Sequence, residues 1–150
     1  MTVFYDILDT LKTNLEADTF VNTVNFGGID DVLLQKQDIY PYSHILLNSA
    51  TYDGALIRFN FSVITMDIVD VSNDSTTDIF IGNDNLHDVL NTQLAVQTRL
   101  LEVLRRGDDH WTYNFDGTAD LEHFTDRFEH GVAGWTSTFD LVAKHGMTKC

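Results

Sequence analysis

The dipeptide Asp53-Gly54 separates two runs that favour extended backbone, Ser43–Thr51 and Ala55–Val71. Glycine after aspartate supplies the positive backbone angle that a tight antiparallel turn demands. The flanking runs are rich in Ile, Leu, Val, Phe and Thr, residues that suit a pleated, packed surface. The pattern predicts a long β-hairpin. In its second strand Ile57, Phe59, Phe61 and Val63 share one face, after which the apolar set moves to Ile64, Met66 and Ile68. Such a change of phase implies either a bulge or a second half covered on both faces.

Helical periodicity appears on both sides of this hairpin. Between Thr2 and Asp18 the apolar residues Phe4, Ile7, Leu8, Leu11 and Leu15 fall on one stripe. Asp6, Asp9, Lys12, Asn14 and Glu16 fall opposite, and Thr2 is placed to cap the helix start. A second helix is predicted over Asn85–Arg106, with the stripe Leu86, Val89, Leu90, Leu94, Leu101 and Leu104. Gly107 follows where a helix C-cap is expected, and Arg105 and Arg106 oppose the negative helix end.

The remaining segments read as strands and connections. Phe20–Phe26 predicts a strand ended by Gly27-Gly28. Ile29–Tyr42 is irregular, and Pro41 bars a central strand there. Asp70–Asn85 is a polar loop with a short apolar patch at Ile79–Ile81, Asp116-Gly117 is a turn, and Gly131–Ala143 is a closing strand. Antiparallel strands with two helices packed on one face define an α+β domain. At 150 residues, 43% of them hydrophobic, the chain forms one globular domain.

Charge narrows the functional classes. There are 23 acidic residues against 9 basic ones, for a formal net charge of −14. Gripping nucleic acid or an anionic membrane needs local positive charge, so both are disfavoured. The N-terminal stretch lacks a basic, then apolar, signal pattern, and no segment has the ~20 apolar residues of a membrane-spanning helix. The single cysteine, Cys150, excludes a disulfide within the chain and fits a reducing cytoplasm. Between two copies that thiol could still pair.

Chemistry-bearing constellations are sparse. His44, His87, His110, His123, His130 and His145 match no zinc spacing. His123 and His130 flank Glu129 at a distance a folded metal site could use, although surface or capping roles explain them more simply. Oxygen side chains alternate from Asp70 to Asp78 as in calcium loops. Ser75 replaces the required glycine there, and Ile81 stands where the bidentate acid belongs. Glu102, Glu122 and Glu129 could pair as glycosidase acids, but so many carboxylates make some pair unavoidable. Asp108-Asp109-His110 has no nucleophile elbow to serve, and Gly27-Gly28 and Gly131–Gly134 match no phosphate loop. No catalytic residue, cofactor or metal is expected. Arg105 and Arg106 have two readings, complementing the helix end or pairing with acids across a subunit boundary. Trp135 likewise reads as a core aromatic or as an interface anchor.

The opening helix FYDILDTLKTNLEAD, the stretch QDIYPYSHILLNSATYDGALIRFNFSVITMDIVD and the run NDNLHDVLNTQLAVQTRLLEVLRRGD followed by GVAGWTSTFDLVA form an ordered set. That order resembles the tail terminator, tail-completion and neck-ring (head-tail connector) structural proteins of tailed bacteriophages. These run as an N-terminal helix, strands with a proline just before a buried one, a long hairpin, a helix and closing strands. The resemblance leaves out Ile29–Asp38 and Gly117–Glu129. It implies a non-enzymatic virion protein, assembled in the host cytoplasm as a homo-oligomeric ring of six or more subunits. Its partners would be other tail, neck or portal proteins, with no membrane. DNA would pass through an axial channel without specific binding, and an acidic lumen would repel its phosphates. The resemblance also makes Arg105, Arg106 and Trp135 oligomer-interface candidates. The competing reading is an acidic adaptor or nucleic-acid mimic; a small α+β enzyme is a third, unsupported by any residue spacing.

Overall fold

The computed structural model describes residues 3–28, 40–69, 85–106, 113–127 and 131–144. Along the chain these form α1 (Val3–Glu16), β1 (Thr23–Phe26), β2 (Tyr42–Asp53), β3 (Leu56–Ile68), α2 (Leu86–Arg106), β4 (Asn114–Arg127) and β5 (Val132–Lys144). The strands make one five-stranded sheet in the order β1-β2-β3-β5-β4. The fold is α+β, with a mostly antiparallel sheet.

The hairpin forms where Asp53-Gly54 places it. Asp53 pairs with Leu56 across a two-residue turn, and Gly54 adopts φ 58°. The change of phase in β3 has a definite cause. β3 pairs with β5 from Leu56 to Ile68 with no register shift, so β3 carries no bulge against β5. Its second half is instead covered on both faces. Phe59, Phe61 and Val63 join the main core, while Ile64 and Met66 bury on the other face with Tyr42, Phe124 and Val132. A bulge does occur in the partner strand, at Asn48 of β2. The Asn48 amide donates to Asn60 Oδ1 at 2.8 Å and to Ser62 Oγ at 2.7 Å.

Both helices pack on the Phe59–Phe61–Val63 face. Ile7, Leu11 and Leu15 from α1 meet Val96, Leu100 and Leu104 from α2 over Phe139 and Leu141 of β5. Each such side chain contributes about 1.5–3 kcal/mol by leaving water. The stripe of α2 departs from expectation. Its buried residues are Val89, Gln93, Val96, Gln97, Leu100 and Leu104, so two glutamines take inward positions while Leu94 and Leu101 are only half-buried. Polar partners on the sheet explain Gln97. Its amide donates to the Val63 and Trp135 carbonyls at 2.8 and 3.1 Å and accepts from the Ser137 hydroxyl at 2.7 Å.

Two further expectations are corrected. The sheet is not wholly antiparallel, because β1 pairs with β2 in parallel from Thr23↔Tyr42 to Phe26↔Ile45. The long connection between them allows the crossover that parallel pairing requires. Asp116-Gly117 is not a turn between elements but lies inside β4, where the register jumps from Asp116↔Asp140 to Asp120↔Thr138. Gly117, at φ 73°, absorbs this bulge.

Candidate assembly surfaces

The C-terminal turn of α2 displays the two arginines singled out by sequence. Arg106 turns back along its own helix to Glu102 at 3.0 Å. Arg105, exposed, has no ion-pair partner among the described residues. It stands at the rim of a groove of about 280 Å³ between α2 and the bulged edge of β4. Half-buried Leu101 and Phe115 line this groove with Leu121, which is 37% exposed. The structure thus separates the pair: Arg106 is engaged by Glu102, and Arg105 lines the groove.

Trp135 faces the helices. Its indole N–H donates to the Leu90 carbonyl at 2.8 Å, and the His123 ring lies 5.6 Å from it, tilted by 56°. The polar end of the ring is therefore used inside the subunit. The three candidates do not converge on one patch, since Trp135 meets α2 at Leu90, near the helix start, and the arginines end it.

Sequence reading missed a tertiary ion pair that fixes the two helices to each other. Asp18, just beyond α1, accepts from Arg99 Nε at 2.6 Å and Nη2 at 2.9 Å, and from the Phe20 amide at 3.0 Å. Arg99 also lies over the Phe20 ring at 5.5 Å. The Asp18 side chain is only 7% exposed against 50% for Arg99. Burial works against the Asp18 charge, but the Arg99 and Phe20 hydrogen bonds and the guanidinium field outweigh it and hold the carboxyl below its usual range. The signal was absent from the sequence because the partners are far apart in the chain and neither is in a motif.

The sheet face away from the helices is divided. One end is the apolar cluster of Tyr42, Ile64, Met66, Phe124 and Val132, where burial, helped by Tyr42 and Asp67, raises the Tyr40 hydroxyl above its ordinary value. Towards the hairpin the face becomes polar. Asn60 donates to Asp140 at 2.7 Å, Ser62 and Thr138 lie 3.1 Å apart, and Arg58 engages Asp116 and approaches Asp140 at 3.8 Å. The Asp116 hydrogen bond, reinforced by the fields of Asp116, Asp140 and Asp53, raises Arg58 above the usual guanidinium value. Register places Asp116, Asp120 and Glu122 on this same face as Asp140.

The sheet also has two unlike outer edges. β1 covers β2 only through Ile45, and among the described residues no strand pairs with the outer side of Leu47–Asp53. Tyr52, at the far end of β2, is 72% exposed. β4 forms the opposite edge. No group of His, Cys, Asp and Glu suited to a metal ion occurs among the described residues. The Asp70–Ile81 loop, the Glu129–His130 pair, Asp108–His110, Thr2, Gly107 and Cys150 lie outside them. No described helix is long and apolar enough to cross a membrane.

No protein-family model matches this chain, and comparison with the curated proteins likewise finds no match.

Proposed function

We propose that this chain is a structural virion protein of a tailed bacteriophage, a subunit of a homo-oligomeric ring in the tail or neck, with no enzymatic activity. The observation that carries the reading is that, among the described residues, the two outer edges of the sheet are unlike: β2 beyond Ile45 on one side and the bulged β4 on the other. A surface that differs at its two ends favours heterologous contacts, and heterologous contacts that close make rings. The order of helix, strand, long hairpin, helix and closing strand within α1-β1-β2-β3-α2-β4-β5 agrees with the resemblance to tail terminator and neck-ring proteins, and β4 falls largely in the Gly117–Glu129 stretch that the resemblance leaves out. In such a ring DNA passes through the centre. The face bearing Asp116, Asp120, Glu122 and Asp140 is the one suited to a channel wall, because it repels phosphate. Other tail, neck or portal proteins would flank the ring.

Native mass measurement of the purified chain, with class averages of the particles, tests the reading. A closed ring of six or more copies with a central opening is expected. A monomer at all concentrations, or a two-fold dimer, overturns it.

The same carboxylate face supports a second reading, an acidic adaptor that imitates nucleic acid. That protein elutes small and binds a basic partner with steep salt dependence.

A further inference from the structure

We infer that the outer edge of β2 is a docking lane for one extended strand of a different protein, apolar at alternate positions and carrying a Lys or Arg where it meets Asp53. In the ring reading this strand belongs to a flanking tail, neck or portal protein; the lane itself does not depend on that reading. β1 covers β2 only through Ile45, where the Gly27 amide donates to the Ile45 carbonyl at 3.1 Å. Beyond it residues 47–56 are all exposed. The hydrogen-bonding character of the edge continues past that point. Ile45, paired with Val63, turns its backbone groups out to β1. Phe59 and Ile57 share the parity of Val63 along β3, so their partners Ala50 and Tyr52 turn their backbone groups outward as well. An extended backbone is the occupant that such an edge selects.

The side chains define the rest of the occupant. Phe26, Leu47 and Tyr52 are exposed, and by register they lie on the helix-covered face, beside Ile45, Phe61 and Ile57. The Phe4 ring of α1 lies 6.2 Å from that of exposed Tyr5, 6.4 Å from Phe26 and 5.7 Å from Phe59, the partner of Ala50. One row of the incoming strand therefore meets apolar and aromatic surface. The other row meets Ser49, Thr51 and Asp53, which lie on the opposite face. No charge occurs from Leu47 to Tyr52, so Asp53 is the one charge of the lane. Arg58 lies across from Thr51 but is engaged by Asp116, and Lys144 lies two strands inward, opposite Leu56. A cation at the Asp53 end of the incoming strand completes the polar row, and the net charge of −14 disfavours an acidic strand. The β4 edge of a second copy fits this lane poorly, because it carries Asp116, Asp120 and Glu122 and is broken by the Gly117 bulge.

The test uses two short probe peptides, Lys-Val-Thr-Val-Thr-Val-Lys and the same peptide with Asp for Lys, and reads amide hydrogen exchange of the full chain by mass spectrometry. Without probe, segment 47–53 should exchange fast; excess Lys-ended probe should slow it by about tenfold or more. The Asp-ended probe should leave it fast. Ala50→Pro removes an outward-facing N–H that an edge strand can spare, so this variant, shown folded by circular dichroism, should lose the protection. Asp53→Asn leaves the backbone untouched and should weaken the Lys-ended probe by about threefold, as loss of one exposed charge pair predicts. Protection of the segment without any probe overturns the proposal, because another copy or another part of the chain then fills the lane. So does failure of both probes, equal protection by both, or an Asp53→Asn chain that binds the Lys-ended probe as well as wild type. Native mass is read separately, so the ring reading stands or falls on its own.

Discussion

The Ser137 hydroxyl donates to Gln97 Oε1 at 2.7 Å in the buried seam between α2 and the sheet. The same glutamine amide donates to the Val63 and Trp135 carbonyls, so one side chain ties the helix to both β3 and β5. Gln93, one turn earlier and 1% exposed, finds no partner among the described residues for either amide atom. Opposite outcomes follow for similar substitutions. Gln97→Leu strands the Ser137 hydroxyl and should cost about 1–3 kcal/mol, whereas Gln93→Leu removes an unmet amide and should be neutral or stabilising. Urea denaturation midpoints check both; equal destabilisation by the two would contradict the assignment.

The Asp18–Arg99 pair makes part of the stability acid-sensitive. Asp18 has a folded pKa below its unfolded value near 3.8. Its contribution is therefore complete above the unfolded value and lost as pH falls through the folded one. Asp18→Asn should cost on the order of 1 kcal/mol at neutral pH, given that Arg99 is half exposed. The gap between wild type and variant should close as pH drops below about 4. Stability measured across pH 2 to 7 reads this directly, and a gap that widens in acid would refute it.

Gly134 pairs with Met66 in the unbroken ladder between β5 and β3. A Cβ there would lie 1.9 Å from the Thr65 carbonyl oxygen and 2.9 Å from Met66 Cα, both backbone atoms that cannot swing aside. Gly134→Ala should cost about 3 kcal/mol or more, beyond the ordinary range for one added methyl. Gly117→Ala meets no atom within 4 Å and pays only for its positive φ, about 1 kcal/mol. Thermal melting of the two variants should rank them in that order.

Trp135 donates its N–H inside the subunit. Trp135→Phe should lower stability by about 1 kcal/mol and leave the native mass unchanged. A loss of assembly in a folded Trp135→Phe protein would return Trp135 to the interface.

The elements that were legible in the sequence are those whose signal is local. The hairpin followed from Asp53-Gly54, and α1 and α2 followed from apolar stripes and terminal charge. What periodicity could not show was the partner. Gln93 and Gln97 look like surface residues until Ser137 and the Val63 carbonyl are placed opposite them. Asp116-Gly117 carries the same turn chemistry as Asp53-Gly54, and only the pairing of β4 with β5 on both sides makes it a bulge. Arg105 and Arg106 are alike as sequence; Glu102 one turn back distinguishes them, because it can engage only one.

The brevity of β1 has a consequence for the protein before it assembles. A four-residue strand covers β2 only through Ile45, and among the described residues no strand lies along the outer side of Leu47–Asp53, an edge on which an extended chain could polymerise. Asp53 is the first charge on that run, so one carboxylate guards its end as a gatekeeper. The rest of the protection is long-range. Free subunits that each carry a charge of −14 repel one another at low ionic strength, so the acidity governs shelf life before use. Storage at 1 M salt, where the screening length shrinks to about 3 Å, should turn a clear solution of unassembled subunits turbid.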